Sequence, residues 1–360
     1  MPDSGTLETG FGQQTSYAKW QEEDGLPIIR GFYVADLKDV EVVPWTRKGG
    51  KGACINLEGT GGTNDAYVAE IPPGGSLNPE KYLFEELVYI LSGRGATTIW
   101  NEGGPKQTFE WQAGSLFSPP LNVWRQHFNG QGDKPARFLA VTSAPTMIDL
   151  FHNKDFIFNN PFVFKDRYSG EDGYFSAEGK THPGRVWESN FIPDVPSFKL
   201  TEWKERGAGG TNVMFELANN TMAAHISEFP VGTYKKGHRH GPGAHVILIS
   251  GEGYSLLWKE GQPKIRVDWH AGSMFVPPDM WFHQHFNVGG APARYMALRW
   301  GSRKFLAGGS LAIGGIDQSL KAGGNQIEYP DEDPEIRRMF EAELAKRSVE
   351  SKMAAFFERK

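Results

Sequence analysis

A single spacing governs this chain. VYILSGRG at 88–95 returns as VILISGEG at 246–253, 158 residues later. The same offset maps Trp45 onto Trp203, Glu70 onto Glu228, Gly74 onto Gly232 and Trp100 onto Trp258. It also lays AGSLFSPP (113–120) on AGSMFVPP (271–278), and QHFN (126–129) on QHFN (284–287). One offset held over about a hundred residues means two copies of one unit. At roughly 150 residues per domain, a chain of 360 residues has room for both.

Each copy reads as short strands. VYILSG and VILISG are apolar runs that end at Gly, and ATTIW and YSLLW follow. ARFLAV and ARYMAL close the two copies. With 44 Gly and 23 Pro there is abundant material for turns. Helical periodicity is nearly absent until Asp333, where an N-cap, a Pro at the first helical position and a run to residue 360 predict a long helix. Phe340, Leu344, Phe356 and Phe357 would give it an apolar face. The expected class is all-β, with two tandem jelly-roll barrels and a C-terminal helix. The expected boundaries are an N-terminal domain over 1–150, a connector over 151–187, a C-terminal domain over 188–320 and a helical tail over 321–360.

Composition excludes several functions. The net charge of −5 argues against a nucleic-acid surface. No run of 18 apolar residues is present, so no membrane span is expected. The start shows no basic then apolar leader, and a lone Cys54 excludes an intrachain disulfide, so a cytoplasmic location is expected. No phosphate-cradling Gly loop of either common form occurs.

The histidines are unevenly spread. Seven of ten lie between His225 and His285. His238 and His240 are an i, i+2 pair, which on a strand faces one side. His283 and His285 repeat that arrangement. Two such pairs in one small barrel predict a metal site.

These residues resemble the two motifs of the cupin superfamily. Gly232, TYKKG, His238-Arg239-His240, GPG, Ala244, HVILIS and Gly251 fit the first motif, with Ala at its Glu position. Gly272, SMFVP, Pro278-Asp279-Met280, WF, His283, QHF and Asn287 fit the second, with Met for its second Gly. The likeness covers both repeats, roughly 30–145 and 188–305, so the chain looks like a bicupin. The missing Glu is similar to the gentisate- and salicylate-type ring-cleaving dioxygenases, although there the metal half is usually N-terminal. That resemblance implies His238, His240 and His283 as Fe(II) ligands and His285 in the pocket.

The other repeat serves as a control. His238, His240 and His283 fall on Glu80, Tyr82 and Arg125, so the N-terminal barrel is expected to hold no metal, although Glu86 keeps its cupin position. His285 matches His127, which leaves its role open between pocket and framework. Regular alternation turns His245 outward, whereas a bulge at Gly241-Pro242-Gly243 would make it a fourth ligand. His225 replaces Tyr67 and is a candidate to line the cavity. Arg299 replaces Thr142 and is a candidate carboxylate clamp.

The expectation is one divalent metal per chain, Fe(II) first and Mn(II), Zn(II) or Ni(II) as alternatives. The leading function is a non-haem Fe(II) dioxygenase that cleaves a C–C bond in a hydroxylated aromatic acid or an enolisable carbonyl compound. The alternatives are a non-redox isomerase, lyase or decarboxylase, and a non-enzymatic metal or small-ligand binder. The expected partners are a small organic acid and further copies of the chain.

Overall fold

The computed structural model describes residues 14–305 and 315–357. Two barrels repeat one strand plan. In the N-terminal one, a large sheet runs Ile28–Ile29, Gly50–Ile55, Asp65–Ile71, Ala136–Thr142, Glu86–Ser92, Leu116–Phe117. A three-stranded sheet of Trp124–Asn129, Arg94–Trp100 and Gln107–Gln112 faces it. The C-terminal barrel repeats this as Val186–Ser189, Thr211–Leu217, Met222–Phe229, Ala293–Trp300, His245–Ser250 and Met274–Phe275, faced by Ile265–His270, Glu252–Trp258 and Phe282–Asn287. Each barrel is a jelly roll.

The sequence dictates these strands locally. Ile265–His270 alternates, with Val267 and Trp269 buried while Arg266, Asp268 and His270 face water. The SGxG turns are Gly for a steric reason. Gly251 has φ +87, and a Cβ there would lie 2.7 Å from Ala293 Cα. A Cβ on Gly253 would lie 1.9 Å from the Phe286 carbonyl oxygen.

Each barrel ends on a strand from the other half of the chain. Tyr33–Val34 pairs antiparallel with Met274–Phe275, and Phe191–Ile192 pairs with Leu116–Phe117. The exchange is reciprocal and keeps the 158-residue offset. A shared apolar core lies between the two large sheets, with Ile55, Val68 and Val141 packed among Phe215, Met296 and Leu298.

Two expectations about elements change. Helices also form at Ser16–Asp24, Ala144–Phe151 and Lys154–Phe158, where the periodicity is too short to register. The predicted long C-terminal helix is two pieces. Asp333 caps Pro334–Lys346 by accepting from the Glu335 N–H at 3.0 Å. That helix ends before Ser348, a residue at φ +54, and a short turn follows at Ala354–Phe357. Residues 358–360 of the expected helix lie outside the described residues. Phe340 and Leu344 are buried against the C-terminal barrel, while Phe356 is exposed. Within the expected connector, Gly179–His182 and the first two residues of Val186–Ser189 extend the C-terminal sheet. No described helix is long and apolar enough to cross a membrane.

Candidate metal centre

The cluster is assembled by one antiparallel bridge. The His238 N–H donates to the His283 carbonyl at 3.1 Å, and the His283 N–H returns the bond at 2.8 Å. The two rings then lie 4.0 Å apart, and His240 lies 4.6 Å from His283. One side-chain nitrogen from each of His238, His240 and His283 lies within 4.8 Å of the others. Among the described residues this is the sole such group.

The three rings are prepared as ligands. Each Nδ1 faces a backbone carbonyl: Lys236 at 3.2 Å for His238, Gly241 at 2.8 Å for His240 and Trp281 at 3.3 Å for His283. Carbonyls accept, so each Nδ1 carries the proton and each Nε2 keeps its lone pair. Burial lowers all three pKa values, that of His240 to about 4, so the rings are neutral near pH 7. Three neutral imidazoles on one side fit a divalent metal with open positions.

His285 is wired differently. Its Nδ1 lies 2.8 Å from the Ser255 hydroxyl, which accepts from Trp269 Nε1 at 3.0 Å. A hydroxyl accepting from both would bury its own proton without a partner, so Ser255 donates to Nδ1. The His285 proton then sits on Nε2, which makes this ring a donor in the cavity rather than a ligand. His127 repeats the wiring with Thr97 and Trp111 in the other barrel. The arrangement is framework in both halves, and in one half it also lines the cavity.

His245 is not brought into the cluster. Ala244 and Val246 line the cavity, so His245 points to the opposite face of its strand, beside Asn64 and the Gly243 carbonyl. Regular alternation explains this. His225 and Arg299 do line the cavity, with Arg299 Nη1 donating to His225 Nδ1 at 3.1 Å.

Arg206 joins them and was not among the expected residues. It is buried, stacks over Trp203 and gives one N–H to the Ile316 carbonyl at 2.8 Å. Its offset partner is Lys48, which pairs with Glu80, and Glu80 is replaced by His238. The missing signal was therefore a cation kept where its counter-ion is lost. Nε of both Arg206 and Arg299 is buried without a partner among the described residues. Burial pushes the Arg299 pKa down to about 10, so it stays charged near pH 7. No Asp or Glu lines the cavity among the described residues.

The N-terminal barrel shows the same space filled. Arg125, at the His283 position, donates to Glu86 at 3.0 Å and lies 4.0 Å above the Tyr82 ring. Glu86 also accepts from Tyr67 and Tyr82. Burial alone would raise the Glu80 carboxyl, but Lys48 and Arg47 bring it down to about 2. An internal ion-pair network occupies that interior.

No family model and no curated protein matches the chain. Solved structures do match. Two single-residue variants of Bacillus subtilis oxalate decarboxylase OxdC align at 15% and 16% identity with TM-scores of 0.51, over 78% of this chain and 79% of each of those. The fold is that of a bicupin. A third structure of the same enzyme, from work on its Mn(II) centres, aligns at 16% identity and a TM-score of 0.50, over 76% of this chain and 78% of that one. The bicupin architecture here carries its histidine cluster in the second barrel and an ion-pair network in the first.

Proposed function

We propose that the chain is a metal-dependent enzyme that breaks a carbon–carbon bond in a small organic acid, nearer to a decarboxylase or lyase than to a ring-cleaving enzyme. One observation carries this reading. The cavity is lined by five histidines, three of them the cluster, and two buried guanidiniums, and no acidic residue lines it among the described residues. Such a site is built to be completed by an anion.

His238, His240 and His283 would hold one divalent metal, which when bound supplies Lewis-acid polarisation of a substrate oxygen. Arg299 and Arg206 would hold carboxylate oxygens through their unpartnered Nε–H groups. The Nε2–H of His285 would donate to charge that develops on the substrate. The Mn(II)-containing decarboxylase among the structural neighbours supports this reading. A second reading, the Fe(II) dioxygenase, is favoured by Ala244 standing where the cupin motif has Glu, which leaves the ligand set neutral.

Metal analysis combined with turnover of small mono- and dicarboxylates, with and without O₂, tests the reading. The expected result is about one metal per chain and turnover that persists under anaerobic conditions. Turnover that consumes O₂ in step with substrate supports the dioxygenase. Absence of metal, or absence of turnover and of carboxylate binding, overturns both.

A further inference from the structure

Behind the cavity wall lies a second buried polar cluster. Lys235 is 1% exposed, and its Nζ lies 2.6 Å from Ser227 Oγ and 3.4 Å from the Tyr295 hydroxyl. Ser227 gives its own proton to the Thr211 carbonyl at 3.2 Å, so Oγ is free to accept. Rings of Trp203, Phe229 and Tyr295 surround the amine at 4.9 to 5.9 Å. Lys235 makes no ion pair with a carboxylate among the described residues.

The repeat shows that this cluster is not required by the fold. Lys235 corresponds to Leu77, Ser227 to Ala69 and Tyr295, with the one-residue slip of the last strand, to Phe138. All three polar members are apolar in the barrel that lacks the histidine cluster. The charged and titratable groups that face Lys235 are Arg206 from the turn before the first long strand, His225 and His285 from two flanking strands, and Tyr295 itself. Arg206 is cationic and the others are neutral near pH 7. An ammonium here has too few acceptors and a guanidinium for a neighbour, so the empty barrel favours the free amine. Burial and Arg206 both lower its pKa.

Tyr295 connects the amine to the cavity. Its ring lies 5.2 Å from that of His285 and 6.0 Å from that of His225. We propose that Lys235 is a positioning residue that takes up one proton from solvent as an anion enters the cavity, so that binding and protonation are coupled. The inference rests on the anion-binding reading above. The arriving negative charge offsets Arg206 and favours the ammonium, and Ser227 and Tyr295 supply acceptors for two of its three N–H groups.

Calorimetry of malonate binding to the metal-loaded protein at pH 7, in two buffers of different ionisation heat, counts the protons. The expected result is uptake of about one proton per malonate, with affinity falling about tenfold per pH unit raised. Lys235→Leu, which installs the residue of the other barrel, should abolish the uptake and flatten the pH dependence with metal content unchanged. Lys235→Met is the second variant and should behave alike. Malonate binding without proton uptake, or uptake that persists in both variants, overturns the inference. Failure of malonate to bind the unmodified protein overturns the anion-binding reading, and this inference with it.

Discussion

Arg299 and His240 do different work, and substitution should separate them. Arg299 lines a cavity without acids, and its Nε–H is buried without a partner, among the described residues; a lysine cannot reproduce its planar fork of donors. Charge-assisted bonds contribute about 1.5–3 kcal/mol each. Arg299→Lys should therefore raise KM at least about tenfold for a carboxylated substrate, with metal content unchanged in elemental analysis. His240→Ala should instead lose the metal, because only two nitrogens of the cluster remain. Both residues were legible in the sequence, as was the substitution of Arg125 for a ligand. Arg206 was not, because a Lys-to-Arg change across the repeat looks conservative until the loss of Glu80 is followed. The sequence leaves His245 open for a different reason, since a Gly-Pro-Gly segment permits a bulge that the strand does not adopt.

Elements separate into those with a long period or a repeat and those with neither. The strands were legible twice over, because each copy checks the other. The N-terminal helix Ser16–Asp24 has no counterpart to check it, and it spans only nine residues. Asp333 was legible as a cap, and the early end of its helix was not, since Ser348 is an ordinary residue in an unusual conformation. Asp333→Ala should cost about 1 kcal/mol in denaturant unfolding. A pH-dependent element lies at the start of Asp65–Ile71. Burial drives the Asp65 carboxyl from 3.8 up to about 7, with Thr60, Arg30 and Tyr17 opposing. The folded state then binds more protons than the unfolded state between these values, so stability falls as pH rises through this window. The penalty is complete above about pH 7 and absent below about pH 4. Asp65→Asn should remove on the order of 4 kcal/mol of it. A gain in Tm at pH 8 that shrinks toward pH 5 is the expected observation, and an equal gain at both pH values would refute the assignment.

At the scale of the whole molecule, the duplication of barrels was legible and the exchange between them was not. Tyr33–Val34 and Phe191–Ile192 are two-residue strands, too short for any period to mark. Because the ion-pair network fills the first barrel, elemental analysis should find close to one metal per chain, and a value near two would show that the first barrel also binds. The exchanged strands and the shared core between the sheets should make unfolding one cooperative transition, seen as a single calorimetric peak. Two resolved peaks would show that the barrels are independent. The exchange also sets an order of events during synthesis. The edge at Leu116–Phe117 leaves the ribosome unpaired and must wait 74 residues, from Phe117 to Phe191, for its closing strand. At translation speeds of about 5–20 residues per second, that is roughly 4–15 seconds with a bare apolar edge. Tyr33–Val34 waits longer still, until Met274–Phe275 has emerged, so the two barrels close only when the second half of the chain is nearly complete.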